Sequence, residues 1–156
     1  MIRGARLYFS EDKKPAIIAA LHRSTDGVWF EQESPELLEN WRDATALAQT
    51  MLRAIERFSI KNTDFRTHKK TDWPAFRASK CRSVNAFERA YDDIFVRSLN
   101  DYEVFFDAEM TPRGEDDIVL HVTLTKNIAE DGRRLLRLLH AYRRWEPLPF
   151  SVGLKV

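Results

Sequence analysis

Two facing runs near the C-terminal third constrain this chain more than any other feature. "YEVFFDAEM" at 102–110 and "IVLHVTLTK" at 118–126 flank the turn-rich "TPRGEDD". In the first run Val104, Phe106 and Ala108 alternate with Phe105 and Asp107. In the second, Ile118, Leu120, Val122 and Leu124 alternate with Val119, His121 and Thr123. A period of two with β-branched residues predicts a β-hairpin with one face toward a core. We expect this hairpin to lie centrally in a sheet.

The rest of the chain supplies partners for it. Residues 3–10 and 14–23 read as strands, Asp26-Gly27 as a turn, and 28–32 as a returning strand. The period then changes. Ser34 is placed to cap and Pro35 to open a helix, while Trp41, Ala44, Ala48, Met51, Leu52 and Ile55 share one arc, predicting a helix to about residue 58. Residues 59–72 are polar and basic, compatible with a loop or a short strand around Phe65. Asp72 is a plausible cap ahead of Trp73 and Pro74. Residues 73–97 fit one helix or two broken near "KCRS", and "IFVRSL" fits a helix end or a strand.

In "DGRRLLRLLHAYRRW" (131–145), Leu135, Leu138, Leu139, Tyr142 and Trp145 share one arc, and Arg133, Arg137, His140 and Arg144 the opposite one. The prolines of 146–156 oppose further helix and leave a C-terminal tail. Strands at both ends with helices between them predict one α+β domain over residues 1–156. Its mostly antiparallel sheet would carry helices on one face.

With 156 residues and 44% hydrophobic composition, the chain can bury a core without disulfides or structural metal. It has no run of roughly 20 apolar residues, so no membrane span is expected. The opening residues lack a secretory signal, and a lone Cys81 suits a reducing compartment; the expected location is the cytoplasm.

Net charge is only +1, but the charges are blocked. Residues 26–43 carry six acids against Arg42, and 92–117 nine acids against Arg97 and Arg113. Between them, 53–82 holds nine Lys/Arg against Glu56, Asp64 and Asp72. Such blocks either focus potential on separate faces or cancel across the fold.

Catalytic signatures are missing. The five glycines form no phosphate loop, no zinc-spaced His/Cys set exists, and no cofactor or metal is expected. Asp64, His68 and Asp72, beside Arg66, Lys69 and Lys70, would suit a nuclease centre, but an exposed polar connection explains them as well. Cys81 stands between Lys80 and Arg82, which favours its thiolate, yet no base partner is identifiable.

Two binding readings follow. In one, an acidic side carrying Glu36, Glu39, Asp101, Glu103, Asp116 and Asp117 meets a basic protein. In the other, the 53–82 region with Trp73 and Phe76, together with Arg133, Arg137, Arg143 and Arg144, meets nucleic acid. In size, composition and lack of chemistry the chain resembles the immunity proteins that bacteria carry against toxins of contact-dependent growth inhibition. The resemblance is one of general build, without a motif that transfers a residue role. It implies a non-enzymatic protein that neutralises a cognate toxin by covering a basic active-site surface.

Overall fold

A computed structural model describes residues 1–12, 15–109 and 117–144. Strands β1 (Arg3–Phe9), β2 (Ala16–Arg23), β3 (Trp29–Glu31) and β4 (Glu36–Leu38) precede helix α1 (Ala44–Glu56). Strand β5 (Ser59–Ile60), two 3₁₀ turns, α2 (Pro74–Ser79) and α3 (Val84–Ala90) follow. Then come β6 (Asp92–Ser98), β7 (Glu103–Glu109), β8 (Asp117–Thr123) and α4 (Ile128–Arg144). The sheet runs β3-β2-β1-β6-β7-β8, with β4 and β5 also paired to β2. Every pairing is antiparallel except β2 with β5. The α+β class and the mostly antiparallel sheet are as expected.

Alternation decides which face each strand residue joins. Ala5, Leu7 and Phe9 of β1 point into the main core with Ala16, Ile18 and Ala20 of β2, under α1 and α4. Tyr8 and Ile17 point the other way, into a second cluster with Ala75, Phe87 and Tyr91. The unbroken apolar run Ala16–Leu21 is explained by cover on both sides. The two long helices therefore share one face, and the short α2 and α3 cover part of the other. Against α1, Leu135 and Leu139 of α4 are buried with Leu47, Ala48 and Met51, while Leu138 and Tyr142 are partly buried. Trp145 and the tail fall outside the described residues.

Three expectations are corrected. The helix predicted from Ser34 begins nine residues later, capped by Asp43, whose carboxylate accepts from Ala46 N–H at 3.0 Å. Ser34 instead has φ +61°, and Glu36–Leu38 pairs with Ile18–Ala16 of β2. The open edge of β2 takes these backbone groups, and satisfying it outweighs a favourable local cap. Secondly, the 102–126 hairpin is not central: β8 forms one edge, and β1, β2 and β6 hold the middle. Thirdly, Asp72 does not cap α2. It accepts from Lys69 N–H at 2.9 Å, and Trp73 occupies the cap position ahead of Pro74. Residues 73–97 resolve into two helices and a strand. The break comes at Lys80, whose φ of +56° ends α2 before Ser83 caps α3.

Candidate protein-binding face

Because α2 and α3 cover only the Tyr8–Ile17 end, the other half of that sheet face is left without a covering helix among the described residues. Register assembles it from four strands. Gly4, Arg97, Phe105 and His121 form one cross-strand row, and Arg6, Phe95, Asp107 and Val119 the next. Cross-strand neighbours on one face interact directly. Phe105 and His121 stack with centroids 4.4 Å apart and planes 14° from parallel. Trp29 meets Phe95 edge-on at 5.3 Å, and Arg6 lies over the Phe95 ring at 5.8 Å. Gly4 permits this layout, because a β-carbon there would come within 2.8 Å of the Trp29 ring.

The charges on this face are paired rather than loose. Arg97 donates to Asp107 at 3.0 Å, and Arg6 pairs with Asp93. His121 Nε2 lies 3.7 Å from Glu103, which also accepts from Asn100 at 2.8 Å. Among these described pairs three carboxylates stand against two guanidiniums. Val119, 55% exposed, adds a large apolar surface at the edge strand.

At its border the face meets a hub that the sequence hid. Glu31 accepts hydrogen bonds from Tyr8 Oη, from Trp73 Nε1 at 2.6 Å and from Ala75 N–H at 2.8 Å. It thereby ties β1 and β3 to the first turn of α2. Burial raises the Glu31 pKa despite these donors, which act to lower it. Burial and the Glu31 charge hold the Tyr8 phenol well above its usual value. Burial acts to lower the Arg6 pKa, but Tyr8, Asp93 and Glu31 outweigh it and raise it. Read in sequence, Glu31 is one more acid in the 26–43 block.

The other singled-out residues are placed as follows. Glu36 faces α1, accepting from Arg53 at 2.7 Å with Arg57 at 3.8 Å; Glu39 is exposed. Asp101 pairs with Arg3 at the β6–β7 turn. Asp116 lies outside the described residues, and only the backbone of Asp117 is described, paired with Glu109. On α4, Arg133 donates to Glu130 at 2.7 Å and Arg137 is exposed, while the side chains of Arg143 and Arg144 are outside the description. Trp73 and Phe76 pack into the second cluster with Cys81 beside them. Asp64 accepts from Arg66 N–H at 3.0 Å, capping its own 3₁₀ turn, and the His68 ring packs on Phe65. Among the described residues no three His, Cys, Asp or Glu side chains gather to hold a metal ion. None of the described helices is long and apolar enough to cross a membrane.

No protein-family model matches the chain. No curated protein matches it significantly. Solved structures do share the fold. A protein of unknown function from Neisseria meningitidis superposes with a TM-score of 0.65 at 17% identity, over 90% of this chain and 95% of that one. A chain of the CdiA-CT/CdiI toxin and immunity complex from Yersinia pseudotuberculosis superposes with a TM-score of 0.59 at 8% identity, over 90% of this chain and 97% of the other.

Proposed function

We propose that this chain is a non-catalytic binding protein that neutralises a cognate protein toxin, and that the open sheet face is its docking surface. The observation that carries the reading is the pair of cross-strand rows on that face. Phe95, Phe105 and Val119 offer apolar area, while Arg97–Asp107, Arg6–Asp93 and Glu103–His121 offer oriented polar groups. Aromatic anchors within a polar rim are the usual composition of a protein interface. The single carboxylate in excess suits a toxin whose active surface is basic. The shared fold with a chain of a toxin and immunity complex supports the same reading. The nucleic-acid alternative has less support, because Arg53 and Arg57 are turned to Glu36 and Arg133 to Glu130.

The test is protection. A toxic domain encoded beside this chain's gene is induced in cells with and without the chain. Growth is expected to be rescued by the wild type and lost with Phe105→Ala combined with Asp107→Arg, provided the variant stays folded by circular dichroism. No rescue by the wild type, or full rescue by the folded double variant, overturns the assignment.

A further inference from the structure

A cleft of about 330 Å³ opens at the end of the sheet, on the opposite side from the docking face, between α1, the start of α4 and the β6–β7 turn. Leu52, Ile55, Leu124 and Ile128 form its apolar walls, and Glu56, Asp101 and Asp131 contribute carboxylates. Asp131 is the unusual member. It is 1% exposed, and its Oδ1 accepts from Thr125 N–H at 2.6 Å and from Thr125 Oγ1 at 2.8 Å. Those bonds fasten the β8–α4 connection to the first turns of α4. Its Oδ2 is buried with no hydrogen-bond partner among the described residues. A buried polar oxygen without a partner is uncommon and calls for a specific explanation.

The two cations on the cleft are already engaged. Arg3 pairs with Asp101, and the Lys126 ammonium lies 4.6 Å from the centre of the Tyr102 ring. Glu56 is exposed and has no ion-pair partner among the described residues. Three carboxylates against two cations leave the cleft one negative charge in excess. Apolar walls over a carboxylate match the two parts of a basic side chain, an aliphatic stem and a cationic head.

We infer that this cleft receives an arginine or lysine side chain from the protein partner, with Asp131 Oδ2 and Glu56 as its counter-charges. The inference rests on the binding reading above and adds a second, separate point of contact. Because Oδ2 is closed off, the cleft wall must part for a guanidinium or ammonium head to supply the donor it lacks, while the stem replaces water along Leu52, Ile55 and Ile128.

The experiment needs no toxin. The full chain, ¹⁵N-labelled, is titrated with N-acetyl-arginine methylamide, with its lysine counterpart, and with the neutral citrulline isostere. Saturable amide shifts at Thr125, Lys126 and Asp131 are expected with the cationic probes and not with citrulline. Asp131→Asn should abolish them. Glu56→Gln, at an exposed position, should weaken binding about two- to fivefold, the size of an exposed ion pair. No saturable shift, equal shifts with citrulline, or unchanged binding in a folded Asp131→Asn variant would overturn the inference. If Asp131→Asn does not fold, unchanged binding in Glu56→Gln overturns it. Probe binding without growth rescue sinks only the toxin reading, and rescue without probe binding sinks only the cleft.

Discussion

Replacing Gly132 with alanine should destabilise the protein, although Gly→Ala in a helix interior ordinarily stabilises by roughly 0.5–1 kcal/mol. Gly132 sits in α4 where it crosses the start of α1, and it is buried. A β-carbon there would overlap the carbonyl group of Ala44 and lie 3.1 Å from its Cα. Those atoms are backbone, so no rotamer change relieves the overlap; α4 must move away by about 1 Å. A gap of roughly 0.5–1 Å forfeits a quarter to a half of the dispersion between facing atoms. The loss falls on the seam where Leu135 and Leu139 meet Leu47, Ala48 and Met51. Overpacking of this kind typically costs about 1–3 kcal/mol, more when backbone is struck. Taking the upper end, about 3 kcal/mol, because backbone is struck, and subtracting the propensity gain of roughly 0.5–1, the expected net loss is about 2–2.5 kcal/mol. Thermal unfolding should then shift down by roughly 4–10 °C for a chain of this size. Urea titration followed by circular dichroism measures the change, with Arg137→Ala as a control on the same helix. A Gly132→Ala midpoint at or above wild type, with an unchanged slope, would refute the close-crossing argument.

Leu139→Ala, at a fully buried position, should cost about 2–5 kcal/mol, whereas Arg137→Ala should stay within about 0.5 kcal/mol; denaturant midpoints separate the two. Glu31→Gln turns an amide donor toward Trp73 or Ala75 and should lower stability by roughly 1–3 kcal/mol at neutral pH. Because the folded Glu31 pKa is raised, its proton-linked contribution is complete below the unfolded value of 4.5 and lost as pH rises through the folded one. The stability difference between wild type and Glu31→Gln should therefore shrink with rising pH across that interval. Tyr8 follows the same sign at alkaline pH: its contribution is whole below 10.0 and falls above it, and Tyr8→Phe should flatten that fall in a pH series of unfolding free energies.

Most strands were legible because their signal is local. The alternation in β1, β7 and β8 and the apolar run of β2 state their own periods. The helical arc of α4 likewise needed no partner to be read. What stayed hidden depends on pairing at a distance. Residues 36–38 are a strand only because β2 offers them an edge. The hairpin lies at one end of the sheet because β6 pairs with β1, across 83 or more residues of chain. Nothing within 102–126 carries that information. The break between α2 and α3 hangs on the left-handed conformation of Lys80, a residue type with no preference for it.

The charge blocks show why linear patterning misled the search for a site. Glu31 is held by Tyr8, Trp73 and Ala75, Glu36 by Arg53, Asp101 by Arg3, and Asp107 by Arg97. Glu36 and Asp101 are neutralised by arginines outside their blocks and Asp107 by one within its own, so a local charge of several units in sequence becomes a paired surface in space. The usable signal lay in the second face of the hairpin. An antiparallel sheet with one face in water should show polar residues at the positions that alternate with the core. Phe105 and Val119 stand at such positions, opposite His121 and Asp107, and Phe95 occupies the same row on β6. Large apolar side chains on a face that the described residues leave uncovered call for a reason to remain there, and the proposed protein partner would supply it.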